Sequence, residues 1–95
     1  MIRKRLVEMF LYPIRYKGRG RGGVIYNTCK EFLMNDYLTL QELAKITDAK
    51  DEGTVRSRII YACERLNLKN SSVHSLRTAY IKFLEEEIET LSDDN

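Results

Sequence analysis

The sequence predicts an all-α fold of four to five helices, the last of them long. Apolar residues recur at spacings of three and four residues through most of the chain, which is the period of an amphipathic helix. The run Thr39-Leu-Gln-Glu42 matches the capping box that opens many helices, and an apolar-periodic segment follows it. The sequence contains no convincing strand and no internal repeat.

At 95 residues the chain is expected to form a single domain, near the lower size at which one hydrophobic core suffices. We divide it into three segments. Residues 1–23 form a basic N-terminal helix and a Gly/Arg loop, residues 24–70 a helical core, and residues 71–95 a C-terminal helix with an acidic tail.

The first segment is interpreted as a helix followed by a loop. A helix over residues 2–11 places Leu6, Met9 and Phe10 on one side, and the Tyr-Pro step at Pro13 marks a boundary. Four glycines in the last six positions of residues 14–23 favour a loop there.

A helix over residues 24–34 comes next. We prefer it to a β-ribbon that would flank the glycine-rich loop through Ile14 and Tyr16 on one side and Val24 and Tyr26 on the other. The reason is that apolar residues follow the helical spacing here. They are Ile25, Cys29, Phe32 and Leu33.

The capping box then opens a short helix over residues 40–47. Acidic residues and a glycine interrupt the pattern over residues 48–53. The apolar residues expected to face inward from the short helix are Leu40, Leu43, Ala44 and Ile46.

A second helix is predicted from about Thr54 to Leu66, and it has two distinct faces. The core face gathers Val55, Ile59, Ala62, Cys63 and Leu66. The polar face holds Ser57, Tyr61 and Glu64, with Arg56, Arg58 and Arg65 on the flanks. Ser71 or Ser72 then caps the last helix, which begins at Val73.

Charge is segregated along the chain, although the net charge is only +2. Residues 1–30 hold eight Lys or Arg against one acid, which makes +7, whereas residues 71–95 hold two basic residues against six acids, which makes −4. Residues 31–70 are near balance at −1. A basic front and an acidic tail indicate a polyanionic partner at one end of the molecule.

Catalysis, a metal centre and a cofactor are not expected. The chain has one histidine and two cysteines 34 positions apart, so a His/Cys zinc site lacks ligands, and no nucleophile–base pair can be assembled. Cys29 and Cys63 are interpreted as buried thiols in a reducing compartment. No segment is long and apolar enough for a membrane span, and we therefore expect a cytoplasmic protein.

A short capped helix, a break and a second helix with donors in its first turns form the layout of a helix-turn-helix. In that motif the second helix enters the major groove of DNA with its N-terminus first. Hydroxyls can bind phosphates or base edges, and arginine can bind guanine through two acceptors. The residues expected to contact DNA from this helix are Thr54, Arg56, Ser57, Arg58 and Tyr61.

The 27-residue run LQELAKITDAKDEGTVRSRIIYACERL, residues 40–66, resembles region 4 of bacterial sigma factors. The reading helix of that family commonly opens with a Gly-Thr-Val-basic-Ser-Arg run, which corresponds here to residues 53–58. The resemblance implies a helix-turn-helix that reads DNA with Arg56, Ser57 and Arg58. This chain departs from the family in one extra residue between Ala44 and Val55 and in an acidic turn, DAKDE.

Two further segments have more limited resemblances. RLNLKN, residues 65–70, is similar to the end of the reading helix and the following turn in LuxR-type regulators. YPIRYKGRGRGGVIYNTCKEFL, residues 12–33, is loosely similar to the DNA-binding domain of the sporulation response regulator, where a Pro…Lys-Gly loop precedes the helix-turn-helix.

The Gly/Arg loop is a candidate for sequence-independent contacts with DNA. Arginines on a flexible glycine chain can follow a narrow, electronegative minor groove or bind phosphates. The residues concerned are Lys17, Arg19 and Arg21. A solvated loop and a role in RNA binding are the alternatives.

The last helix carries two apolar stripes, of which one suffices to cover the core. Val73, Leu76, Tyr80 and Phe83 form the first. The second is expected to be the interface of a homodimer. It consists of Ile81, Leu84, Ile88 and Leu91.

These features lead us to expect a dimeric, sequence-specific double-stranded DNA-binding protein that regulates transcription. The alternative is a protein-interaction module that binds RNA polymerase, a sigma factor or another regulator through the acidic turn and tail. The target sequence and the sign of regulation do not follow from the sequence.

Overall fold

The computed structural model describes residues 2–15, 21–35 and 38–93. Within these residues the chain forms six helices, one more than the largest number expected, and no strand. They are α1 (Ile2–Phe10), α2 (Tyr12–Arg15), α3 (Arg21–Met34), α4 (Leu40–Ile46), α5 (Glu52–Arg65) and α6 (Val73–Asp93). The prediction of an all-α fold is therefore confirmed for this part of the chain.

The N-terminal third is more helical than the sequence indicated. The boundary at Pro13 exists, but the chain turns at Leu11 and continues directly into the short helix α2. Helix α3 begins at Arg21 and so includes Arg21, Gly22 and Gly23, for which the sequence predicted a loop. No β-ribbon forms through Ile14 or Val24, since both lie in helices.

All six helices pack around one hydrophobic core or contribute to it, and α1 and α2 are part of this arrangement. Val7, Leu11 and Ile14 are buried beside residues of α3, α5 and α6. The predicted apolar side of α1 was wrong by about one residue, because Val7 is fully buried whereas Met9 is 48% exposed. Phe10 completes the contact with α6, where its ring lies 5.4 Å from that of Tyr80 and 5.5 Å from that of Phe83.

Helix α5 lies at the centre of the fold and packs against α2, α3, α4 and α6. Its predicted core face is confirmed: Val55, Ile59, Ala62 and Cys63 are buried, and Leu66 is half-buried. Cys29 of α3 is buried as well, as expected, and both cysteines are free thiols. Burial raises the pKa of each thiol above its ordinary value, which keeps both in the protonated form.

Short polar contacts fix the junction between α5 and α6. Ser72, one of the two predicted caps, accepts a hydrogen bond from the Ser75 amide at 3.0 Å. The Cys63 thiol donates to the Ser72 carbonyl at 3.4 Å, which attaches the start of α6 to the last turn of α5.

Within the described ranges, no helix is long and apolar enough to cross a membrane.

Candidate nucleic-acid interface

The turn between α4 and α5 is built by the way α4 ends. The Ala49 amide donates to the Ala44 carbonyl at 2.7 Å, across Asp48, whose φ is 55°. This is a Schellman-type ending, in which glycine usually occupies the left-handed position. The Leu43 carbonyl accepts two hydrogen bonds from Thr47, one from its amide at 3.0 Å and one from its hydroxyl at 2.7 Å. An aspartate therefore occupies a position where glycine is common.

Helix α5 begins at Glu52, two residues earlier than predicted, because Asp51 caps it. The Asp51 carboxylate accepts from the Thr54 amide at 2.8 Å and from the Thr54 hydroxyl at 2.9 Å. The same bonds hold the pKa of Asp51 below its ordinary value. The Thr54 hydroxyl proton is thus used inside the chain, although its oxygen can still accept.

The capping box of α4 is confirmed. The Glu42 amide donates to the Thr39 hydroxyl at 3.1 Å, and the Glu42 carboxylate accepts from the Thr39 amide at 3.0 Å. Together with Asp51, this cap fixes where both helices begin. The pKa of Glu42 is lowered, first of all by its bond to the Thr39 amide.

The solvent face of α5 carries three of the five residues of this helix that were expected to contact DNA. Arg56, Ser57 and Tyr61 are exposed, as are Glu64 and Arg65. The Arg65 guanidinium lies 5.7 Å from the centre of the Tyr61 ring, within the range of a cation–π contact. This face can offer guanidinium and hydroxyl donors and one aromatic ring to a groove of DNA.

Arg58 lies elsewhere. It is half-buried, and its Nη1 donates to the Thr28 hydroxyl of α3 at 3.2 Å and to the Thr47 carbonyl at 3.4 Å. The guanidinium therefore joins α5 to α3 and to the C-terminal end of α4. A positive charge at that end also interacts favourably with the dipole of α4. Periodicity placed Arg58 on the flank of α5 but could not indicate what lies beside that flank.

Most residues of the Gly/Arg loop lie outside the ranges that the structure describes. Lys17 and Arg19 lie outside the described residues, and so do Tyr16 and the remainder of residues 16–20. Arg21 is the first residue of α3, but the position of its side chain is not described.

A groove of about 570 Å³ lies between α4 and the start of α5. Its polar residues have mixed charge: Lys45 and Lys50 stand beside Asp51 and Glu52. At this end of the candidate interface, the acidic residues noted in the sequence therefore lie close to the lysines.

A second groove, of about 360 Å³, lies where the chain leaves α5 and enters α6. Its basic residues are Lys69, His74 and Lys82, and none of its lining residues is acidic. Our interpretation of the sequence missed this cluster. The available signal was the spacing of His74, Thr78 and Lys82, which are four residues apart and so share one face of a helix.

The second apolar stripe of α6 is only partly exposed. Ile81 and Ile88 are 49% and 62% exposed, whereas Leu84 is half-buried against the core. The side chain of Leu91 is not described. The stripe therefore offers fewer apolar contacts to a partner than its spacing suggested.

The described residues contain no group of three or more His, Cys, Asp or Glu that could hold a metal ion. Comparison of the chain with protein-family models, curated proteins and solved structures found no match.

Proposed function

We propose that this chain binds double-stranded DNA sequence-specifically, presents the exposed face of α5 to the major groove, and regulates transcription. The observation that carries the proposal is the division of α5 into two faces. Val55, Ile59 and Ala62 are fully buried, while Arg56 and Ser57 on the opposite side are exposed near the N-terminus. A helix held by the core on one side can present donors to a groove at low entropic cost.

The rigidity of this helix supports the assignment. It packs against four other helices, and Arg58 ties it to Thr28 and to the end of α4. Arg56 can donate two hydrogen bonds to a guanine, and Ser57 can bind a base edge or a phosphate. In this proposal Arg58 positions α5 rather than contacting DNA.

Sequence-independent affinity is assigned to the basic N-terminal region. Residues 1–30 carry a net charge of +7, including Lys17, Arg19 and Arg21. Lysine and arginine that neutralise phosphates release counterions and raise the affinity for any duplex.

A homodimer is part of the proposal, with Ile81 and Ile88 of α6 at its centre. A single helix-turn-helix makes few contacts with DNA, and a pair can place two reading helices about 34 Å apart in successive major grooves. An antiparallel crossing of the two α6 helices would carry Glu89 of one copy away from Glu89 of the other, whereas a parallel pairing would place the two side by side.

A second function is favoured by a specific observation at the turn. Ile46 is 53% exposed, and the exposed acidic residues Asp48, Asp51 and Glu52 follow it in the sequence, with Lys50 among them. An exposed apolar side chain followed by an acid-rich turn can contribute to a surface for a basic protein partner. Such a module would bind the transcription machinery without reading DNA.

The test is selection of bound sequences from a pool of random duplex DNA, with the native chain and with Arg56→Ala/Ser57→Ala. We expect one enriched sequence for the native chain and loss or change of that preference in the variant. Lys4→Ala is the matched control, because Lys4 is exposed in the basic N-terminal region, and a lost phosphate contact lowers affinity but leaves the preferred sequence unchanged. No enrichment by the native chain, together with capture of polymerase or a sigma factor, would support the interaction module instead.

A further inference from the structure

The groove between α5 and α6 combines basic side chains with neutral hydrogen-bonding groups. Eight residues line it: Leu68, Lys69, Asn70, His74, Ser75, Thr78, Ala79 and Lys82. Neither Lys69 nor Lys82 has a carboxylate partner within the described part of the chain, and the His74 ring lies 3.3 Å from the Thr78 hydroxyl. The polar groups that line the groove can therefore donate hydrogen bonds to a bound anion.

The fold brings these residues together from two elements. Helix α5 ends with the Leu68 amide donating to the Cys63 carbonyl at 3.0 Å, across Asn67, whose φ is 59°. This ending turns Lys69 and Asn70 back towards the first turns of α6. The chain of α6 then adds His74, Thr78 and Lys82, one turn apart along the helix.

The two grooves beside α5 differ in charge, and the difference indicates which one suits an anion. At the start of α5, the Asp51 and Glu52 carboxylates oppose the positive charge of Lys45 and Lys50. At its end, Lys69 and Lys82 have no carboxylate beside them in the groove. The acids of α6 begin at Glu85, beyond Lys82, and so limit the basic surface on that side.

We propose that the groove of Lys69, His74 and Lys82 binds phosphate oxygens, and that in the complex with DNA these belong to the duplex backbone next to the C-terminal end of α5. The inference rests on the proposed function for its source of phosphate. Lysine ammonium groups and neutral hydroxyl or amide donors are the groups that contact backbone phosphates in protein–DNA complexes. The groove would then set the register of α5 in the major groove without reading sequence.

The experiment measures the affinity for a duplex of random sequence by fluorescence anisotropy at several salt concentrations. We expect Lys69→Gln/Lys82→Gln to reduce the salt slope by about one to two, and to weaken binding roughly tenfold per lost contact at about 0.1 M salt. Lys45→Gln/Lys50→Gln removes the same charge from the groove with carboxylates and is the matched control. A slope change in the first variant no larger than in the control would overturn the proposal, while leaving DNA binding intact.

A second arm separates this inference from the proposed function. Amide chemical shifts are followed during titration with sodium pyrophosphate at constant ionic strength. If the native chain binds no duplex, the proposed function fails, and shifts confined to residues 69–82 would then identify the groove as a site for a free phosphate ligand. If the native chain binds duplex but neither duplex nor pyrophosphate shifts these residues, the groove is overturned and the proposed function stands. If the chain binds neither duplex nor pyrophosphate, both proposals fail.

Discussion

The Arg58 guanidinium donates to the Thr28 hydroxyl at 3.2 Å, and the same hydroxyl donates to the Val24 carbonyl at 2.8 Å. Thr28 is fully buried, so the polar side chain of α3 is satisfied from both sides. Arg58 and Thr28 are 30 positions apart in the sequence, and their hydrogen bond joins α5 to α3. It makes Arg58 part of the framework that holds α5.

Arg58→Ala is expected to lower the free energy of unfolding by about 1–3 kcal/mol, because a charged hydrogen-bond donor is removed from a half-buried site. Urea denaturation measures the effect. Arg56→Ala is the control, since an exposed side chain of the same type should change stability by less than about 0.5 kcal/mol. A double-mutant cycle with Thr28→Val should give a coupling of about 0.5 kcal/mol or more between the two positions. Equal stability of the two arginine variants would contradict this role.

Arg56→Ala is expected to weaken binding to a selected DNA site by about 1–3 kcal/mol, if the guanidinium binds a guanine through two hydrogen bonds. Affinity for the selected site and for a scrambled duplex is measured at the same salt concentration. The loss should be larger at the selected site. An unchanged affinity in a folded Arg56→Ala protein would remove this residue from the interface.

The Asp51 cap should make stability depend on pH in the acid range. The Thr54 amide lowers the pKa of Asp51 from its ordinary value of 3.8, so the carboxylate binds protons less readily in the folded chain than in the unfolded chain. Its contribution is therefore present above that ordinary value and is lost as pH falls through the lower, folded pKa. Urea midpoints of the native chain and Asp51→Asn should keep a constant difference above about pH 5 and change relative to each other below about pH 4.

Asp51→Asn is chosen because asparagine caps helices about as well as aspartate but does not titrate. Asp51→Ala, which removes the cap as well, should have a lower midpoint than Asp51→Asn at neutral pH. Identical pH profiles for the native chain and Asp51→Asn would show that the cap does not couple to protons.

Asp48→Gly is expected to stabilise the chain by about 0.5–1 kcal/mol. Asp48 has a left-handed backbone, which costs a residue with a Cβ about 1–2 kcal/mol, and glycine removes this strain. Glycine also has more conformational freedom in the unfolded chain, and this offsets part of the stabilisation. Thermal or urea unfolding measures the change. Asp48→Asn is the control, as it removes the charge but keeps the Cβ. A loss of stability in Asp48→Gly would mean that the aspartate side chain stabilises the turn.

The dimer proposal predicts that Ile81→Glu/Ile88→Glu is monomeric, because a charge at each exposed isoleucine opposes burial against a second copy. Light scattering at several protein concentrations gives the mass. Ile46→Glu is the matched control, since Ile46 is exposed to a similar degree on another helix. A native chain that remains monomeric at several hundred micromolar would end the proposal.

Much of the helical framework could be derived from the sequence, because helical periodicity and helix caps are local properties. The core face of α5 and the capping box at Thr39 are confirmed, and both depend on residues only a few positions apart. The same holds for the start of α6, where one of the two candidate serines caps the helix. These features needed no knowledge of what packs against each helix.

The tertiary structure decided which sides of those helices are covered. Ile46 has the spacing of a core residue but is 53% exposed, and Leu84 belongs to the proposed interface stripe but packs against the core of its own chain. Arg58 lies on a flank of α5 that α3 and α4 happen to cover. Burial depends on neighbours that are distant in the sequence, and the spacing of residues within one helix carries no information about where those neighbours lie.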